Sequence, residues 1–274
     1  MGRRKKWITA VSLVLVMGAT IVSVFPLYWV IATSLKAPVD VFRMPPVWLF
    51  KPTLENYRMV FSSRFPSYFL NSLVISVGAV SVSLVVGVPA AYGLARLRIP
   101  RKQDIDFFLL STRMAPPIAF IVPFYLMFSF LRLVDTYPGL ILVYLLFTTA
   151  FVVWMMRAFF EEVNPELDEA GWVDGCTRWG AFIRIALPCA RGGLIATTIL
   201  AILLTWNEFF YALILTSFDT KTMPVALPGY VGFVRLRWGE LTAAATIVVT
   251  PVLVFAALVQ RHLMRGLVGG YGYK

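Results

Sequence analysis

A chain of 274 residues with 59% hydrophobic and only 14% charged side chains cannot cover a soluble globular surface, which carries roughly 25% charge. With a mean hydropathy of +0.78, it reads as a polytopic membrane protein. The net charge of +11 does not point to nucleic acid, because the basic residues form no aromatic-laced stripe and sit in short groups beside apolar runs, as topology signals do.

A helix needs about 20 mostly apolar residues to cross the hydrocarbon core. The first candidate span covers about residues 7–35, behind Arg3, Arg4, Lys5 and Lys6. Its apolar run is roughly twice the length of a secretory signal core, which predicts an uncleaved span whose N-terminus is cytoplasmic. A polar, proline-dotted stretch follows, and the second span covers about 67–94. The third, about 107–131, holds Pro116, Pro117 and Pro123. These residues lack backbone donors, so a kinked or irregular start is expected there. The fourth covers about 138–156, the fifth about 192–217 with the interruption WNEFF, and the sixth about 241–259. The chain is thus expected to be all-α, with six transmembrane helices and both termini cytoplasmic. Assigning loops alternately puts fifteen basic residues inside and nine outside, with Arg113 uncounted within a span.

Between the fourth and fifth spans, Glu161, Glu162, Glu166, Asp168, Glu169 and Asp174 supply six of the 14 acidic residues. Asn164-Pro165-Glu166 is a helix start, with an N-cap, a proline at the first position and acids facing the helix dipole. Leu167, Ala170 and Gly171 fall on one face. Asp174-Gly175 is a stop, and Thr177 caps a second helix in which Trp179, Phe182, Ile183 and Ala186 share a face. Pro188 is expected to end that helix. The segment, about 159–190, is therefore a pair of short helices at the membrane surface. One reading of the acids is catalytic, but the only histidine, His262, is remote and no nucleophile–base set or metal-ligand spacing exists. Solvated helix starts and a polar docking surface, which are compatible, account for them better. Cys176 and Cys189 have neither zinc spacing nor a disulfide framework and read as packing residues.

In the fifth span, Glu208 is an acid among apolar residues, with Trp206, Asn207 and Tyr211 beside it. Two readings stand: the group lines a solute path, or Asn207 and Glu208 join this helix to another by hydrogen bonds. Arg113 reads as a boundary residue that snorkels, and His262 as part of a basic helix end.

The stretch EAGWVDGCTRWGAFIRIALP resembles the E-A-A, three residues, G, nine residues, I-x-L-P signature of permease subunits of bacterial ABC importers. Glu169, Ala170, Asp174, Gly175, Ile185, Leu187 and Pro188 fall on the pattern; Gly171 stands where alanine is usual. TLENYRMVF, NSLVIS, AAYGLARL, DTYPGLIL, WNEFFYALIL and QRHLMRGL resemble, in order, the carbohydrate (maltose/glycerol-phosphate) class, whereas the C-terminal VGGYGYK departs from its usual tail. The resemblance implies a single permease domain over 1–274, with an N-terminal anchor span, five core spans over about 67–262 and a coupling loop. It implies a multi-pass protein of the bacterial cytoplasmic membrane that binds no cofactor itself. Its partners would be a second permease subunit, two ATPases carrying ATP and Mg, and an extracytoplasmic solute-binding protein. Glu169, Ala170, Gly171, Asp174, Gly175, Ile185, Leu187 and Pro188 would couple to the ATPase. The chain has no G-x-x-x-x-G-K-[ST] loop, in keeping with ATP bound elsewhere. Glycerol phosphate, a polyol or another small solute is the alternative cargo, and an ion-gradient-driven transporter the alternative class.

Overall fold

The computed structural model describes the backbone of residues 2–114, 116–231 and 237–269, with side chains for 9–112, 114, 116–231, 237–258 and 260. The side chains of Arg113 and His262, and the tail from Gly270, lie outside the described residues. In order, the helices are α1 (Gly2–Ser34), α2 (Pro38–Val41), α3 (Glu55–Phe61), α4 (Phe65–Arg96), α5 (Lys102–Met114), α6 (Pro117–Phe130), α7 (Tyr137–Glu162), α8 (Pro165–Val173), α9 (Arg178–Ala181), α10 (Leu187–Cys189), α11 (Arg191–Trp206), α12 (Phe210–Leu215), α13 (Met223–Ala226) and α14 (Trp238–Gly269). No β-strand occurs among the described residues.

Among the described residues, four helical segments, Thr9–Ser34, Phe65–Arg96, Tyr137–Glu162 and Trp238–Leu258, are long and apolar enough to cross a membrane. The count rises to six if two bent pairs each make one span. In the first pair, α5 and α6 meet at 88° near the Pro116-Pro117 pair, where the missing N–H groups were expected to break the ladder. In the second, Arg178–Cys189 and α11 meet at 78°. Helix α11 has 16 residues, about 24 Å at 1.5 Å per residue, short of a hydrocarbon core of about 30 Å. The six residues of α12 extend it beyond the WNEFF interruption.

Two compact units divide the chain, Met1–Pro66 with Leu227–Thr250, and Ser67–Ala226 with Pro251–Lys274. In the first, the end of α1 is closed by Asn56, which is 1% exposed. Its amide donates to the carbonyls of Ser34 at 2.9 Å and Lys36 at 2.8 Å. These are acceptors that a terminating helix leaves open. Lys36, also buried, sets its ammonium 4.6 Å from the Trp29 ring centroid and 5.3 Å from that of Phe50, a cation–π arrangement that suits a desolvated lysine. The asparagine of TLENYRMVF thus has a structural role: it ends the first span.

In the second unit, α7 packs against α5, α11 and α12. One apolar cluster gathers Tyr92, Phe151, Val152, Met156, Phe160, Phe182 and Ala186. Another gathers Ile75, Phe128, Tyr144, Ala212 and Leu215. The far side of the second cluster ends in a polar buckle. Asp135 has φ 57°, and its N–H donates to Leu215 O at 2.8 Å. Its carboxylate accepts from the backbone N–H groups of Ser217, Phe218, Asp219 and Thr220 at 2.9–3.2 Å and from the Thr220 hydroxyl at 2.8 Å. Asn71 donates to the carbonyls of Asp219 and Lys221 and accepts from the Tyr137 hydroxyl at 2.6 Å. The residues of NSLVIS and DTYPGLIL therefore meet on one loop.

Burial alone raises the Asp135 carboxyl, but the hydrogen bonds from Ser217, Thr220 and Asp219 outweigh it and hold the group well below the usual carboxylate range. A depressed folded-state value means that this stabilisation is complete above the unfolded value of about 4. It is lost as pH falls below that value toward the folded one. Asp135→Ala, which strands the buried Thr220 N–H, is expected to cost about 2–3 kcal/mol and to lower the melting temperature in detergent. Asp135→Asn, keeping one acceptor oxygen, loses less. From pH 8 to 5 the Asp135-dependent difference stays flat.

Candidate functional site

The loop from α7 to α11 is built from its caps. The Asn164 side chain accepts from Glu166 N–H at 3.1 Å, and Pro165 opens α8. Asp174 follows the last turn and Gly175 takes φ +86°, a left-handed conformation that disfavours a side chain. Thr177 accepts from Gly180 N–H at 3.0 Å and starts α9. All three punctuation marks stand where the sequence puts them.

The inward faces differ from the expected ones. In α8 only Asp168 and Gly171 are buried, while Leu167 is 44% exposed and Ala170 is exposed. The reason is Arg96, at the last turn of α4. Its Nε donates to Asp168 Oδ2 and its Nη2 to Val163 O, both at 2.6 Å. The paired side chains are 7% and 1% exposed. A buried carboxylate with a guanidinium partner displaces leucine from the inner face. Removing one member of such a pair strands a charge at about 3–5 kcal/mol, whereas replacing both by apolar groups is often neutral.

The second helix departs from its expected course as well. After α9 the ladder widens to a π turn over Phe182–Ala186, with Leu187 N–H donating to Phe182 O. The wide turn shifts the phase, so Ala181, Phe182 and Ala186 are buried while Trp179 and Ile183 are 59% and 47% exposed. Pro188 does not end the helix: it lies in the first turn of α10, where a missing N–H is tolerated. The chain turns at Ala190 instead. Both thiols are free, Cys176 partly buried and Cys189 exposed; an exposed Cys189 is no packing residue of this chain.

Gly171 and Ile185, fourteen positions apart in the signature, meet across the helix pair. A Cβ at Gly171 would run into the Ile185 δ-methyl, so a glycine here lets the isoleucine sit close. The outer surface carries Leu167, Trp172, Val173, Trp179 and Ile183, all at least 40% exposed. Glu169, Ala170 and Asp174 are exposed on the same helix pair, and Leu187 is half-buried. The Arg178 guanidinium lies 6.0 Å from the Trp172 ring centroid. A cluster of exposed apolar side chains rimmed by charge is an interaction surface in chemical character.

The WNEFF group is not one constellation. Trp206 is 3% exposed, with its ring 5.7 Å from that of Phe69. Asn207, exposed, closes α11 by donating to Leu203 O at 2.7 Å. Glu208 Oε1 accepts from Tyr211 N–H at 2.9 Å and so starts α12. The Tyr211 ring stacks on Phe147 at 6.2 Å and faces Phe124 at 5.9 Å. Asn207 and Glu208 thus support the break between two helices of their own chain.

Arg96, Asp168 and Val163 are the partners that pattern reading does not single out. The available signal was an arginine closing the apolar run AAYGLAR, the first of the basic group Arg96, Arg98, Arg101 and Lys102, together with a run of acids between the fourth and fifth spans.

Residues 83–269 match the family model described as binding-protein-dependent transport system inner membrane component. The chain is 38% identical over 250 residues to a probable ABC transporter permease protein of Sinorhizobium fredii, covering 91% of this chain and 90% of that one. It is 32% identical over 274 residues to a trehalose transport system permease protein of Mycobacterium tuberculosis, covering 98% of each. A crystal structure of a bacterial ABC transporter involved in the import of the acidic polysaccharide alginate shares the fold, with TM-score 0.82 and 22% identity over 95% of this chain and 98% of that chain. With its helical spans, its capped helix pair and a family match over most of its length, the chain belongs to the binding-protein-dependent transport system inner membrane components, as a multi-pass membrane protein.

Proposed function

We propose that the chain is one of two permease subunits of an ATP-driven ABC importer for a sugar or a closely related solute. The observation that carries this reading is the outer face of the helix pair, where Trp172, Val173, Trp179 and Ile183 are exposed beside Glu169. That face suits a groove on an ATPase, with Glu169 toward basic or polar groups and Gly175 setting the turn. Six spans with both termini cytoplasmic would put the loop on the ATPase side, in line with the excess of basic residues in the loops assigned inside. Movement of the ATPases would then push the loop and switch the solute path between its two accessible states. An extracytoplasmic solute-binding protein would deliver the cargo on the opposite side. The trehalose relative favours a sugar over glycerol phosphate or a polyol. Asn207, Glu208 and Tyr211, at the break between α11 and α12, are the residues we assign to the path, with Trp206 behind them.

Glu169→Lys and Gly175→Pro are each expected to abolish uptake and co-purification of the ATPase while membrane insertion stays normal. The first reverses a charge on the outer face, and the second cannot adopt φ +86°. Gly171→Ala is the matching control. The Ile185 δ-methyl is a movable end and alanine favours a helix by about 1 kcal/mol over glycine, so uptake is retained. Normal uptake and ATPase retention in both of the first two variants would overturn the coupling role.

A further inference from the structure

The last turn of α4 holds the loop at more points than a simple connection needs. Tyr92 and Arg96 are four residues apart and share a helix face. The Tyr92 ring lies 5.5 Å from Phe160, near the end of α7, and 4.9 Å from Phe182, in the π turn. One turn later, Arg96 bridges Asp168 of α8 and the carbonyl of Val163, the residue that caps α7. One face of α4 therefore touches both short helices of the pair and the exit of α7. Tyr92, Phe160 and Phe182 are each less than 10% exposed, and the Arg96–Asp168 pair is buried with them. Trp172 and Val173 take no part in these contacts, and the Trp179 ring, 5.0 Å from that of Phe182 and 59% exposed, links them to the outer face.

We infer that Arg96, seated with Tyr92 and paired with Asp168, is a positioning residue that makes the end of α4 and the helix pair move as one body, so that α4 receives the motion of the loop. This rests on the coupling role proposed above. The guanidinium suits the task because its planar fork holds two acceptors in fixed directions. An ammonium at the same place supplies charge without that fork.

The test uses the assembled importer, with Cys176 and Cys189 replaced by serine and spin labels at Glu166 in the first turn of α8 and Val85 in α4, both exposed and neither on the outer face assigned to the ATPase. The label separation is measured without nucleotide and after trapping with Mg-ATP and vanadate. In the parent it is expected to stay constant between the two states. In Arg96→Met/Asp168→Leu, which removes both charges together, the ATPase stays bound and the separation changes by more than about 2 Å, the scale of helix shifts in switching proteins. Arg96→Lys is expected to fall between them. A separation that changes in the parent, or that stays constant in the double variant, would overturn the inference while leaving the docking role intact. Loss of the ATPase from both the double variant and Arg96→Lys would assign the pair to loop folding alone and also overturn it. A parent chain that retains no ATPase would overturn the coupling role and this inference with it.

Discussion

In a bilayer the backbone has no water to bond, so every interruption of a helix must find its partners within protein. In this chain, a few polar side chains meet that constraint at several of the breaks. Asn56 closes the carbonyl end of α1. Asp135 gathers four backbone N–H groups of the loop after α12, and Asn71 binds the carbonyls of the same loop. Glu208 accepts from Tyr211 where α11 gives way to α12. Arg96 takes the carbonyl at the end of α7 and the acid that begins α8. The scarcity of charge in the chain and the placement of what remains are two sides of one requirement.

The same requirement explains why the helix pair is both fixed and available. Its inner face is closed by Arg96–Asp168, the Tyr92 and Phe182 rings, and the contact of Ile185 with Gly171. Its outer face keeps Val173 at 88% exposure and Trp179 at 59%. A loop that is rigid on one side and apolar on the other can transmit a push, because a load on the outer face reaches α4 through packed contacts. Family membership supplies the setting in which such a push has a use.

Much of this was legible in the chain because it is local. Caps at Asn164 and Thr177, the glycine at 175 and the break near Pro116-Pro117 follow from rules that act within a few residues. So do the four helices long and apolar enough to cross a membrane. What was not legible depends on partners far away in sequence. The choice of Asp168 over Leu167 for the inner face is made by Arg96, 72 residues earlier. The role of Asp135 appears only when a loop more than 80 residues later folds over it. The π turn, which exposes Trp179 and Ile183 and carries the helix through Pro188, breaks the 3.6-residue period on which the face assignment relied. In WNEFF the sequence suggested one polar and aromatic group, but the break turns Trp206 toward Phe69 and Tyr211 toward Phe147.

The central claim is that the outer face of the helix pair is where an ATPase holds this subunit. Photo-cross-linking in membranes tests it most directly, with a benzophenone at Val173 on that face and, separately, at Val85 on the exposed side of α4. The account predicts a covalent adduct between this chain and the ATPase from Val173 and none from Val85. Adducts from Val85 with none from Val173 would contradict it.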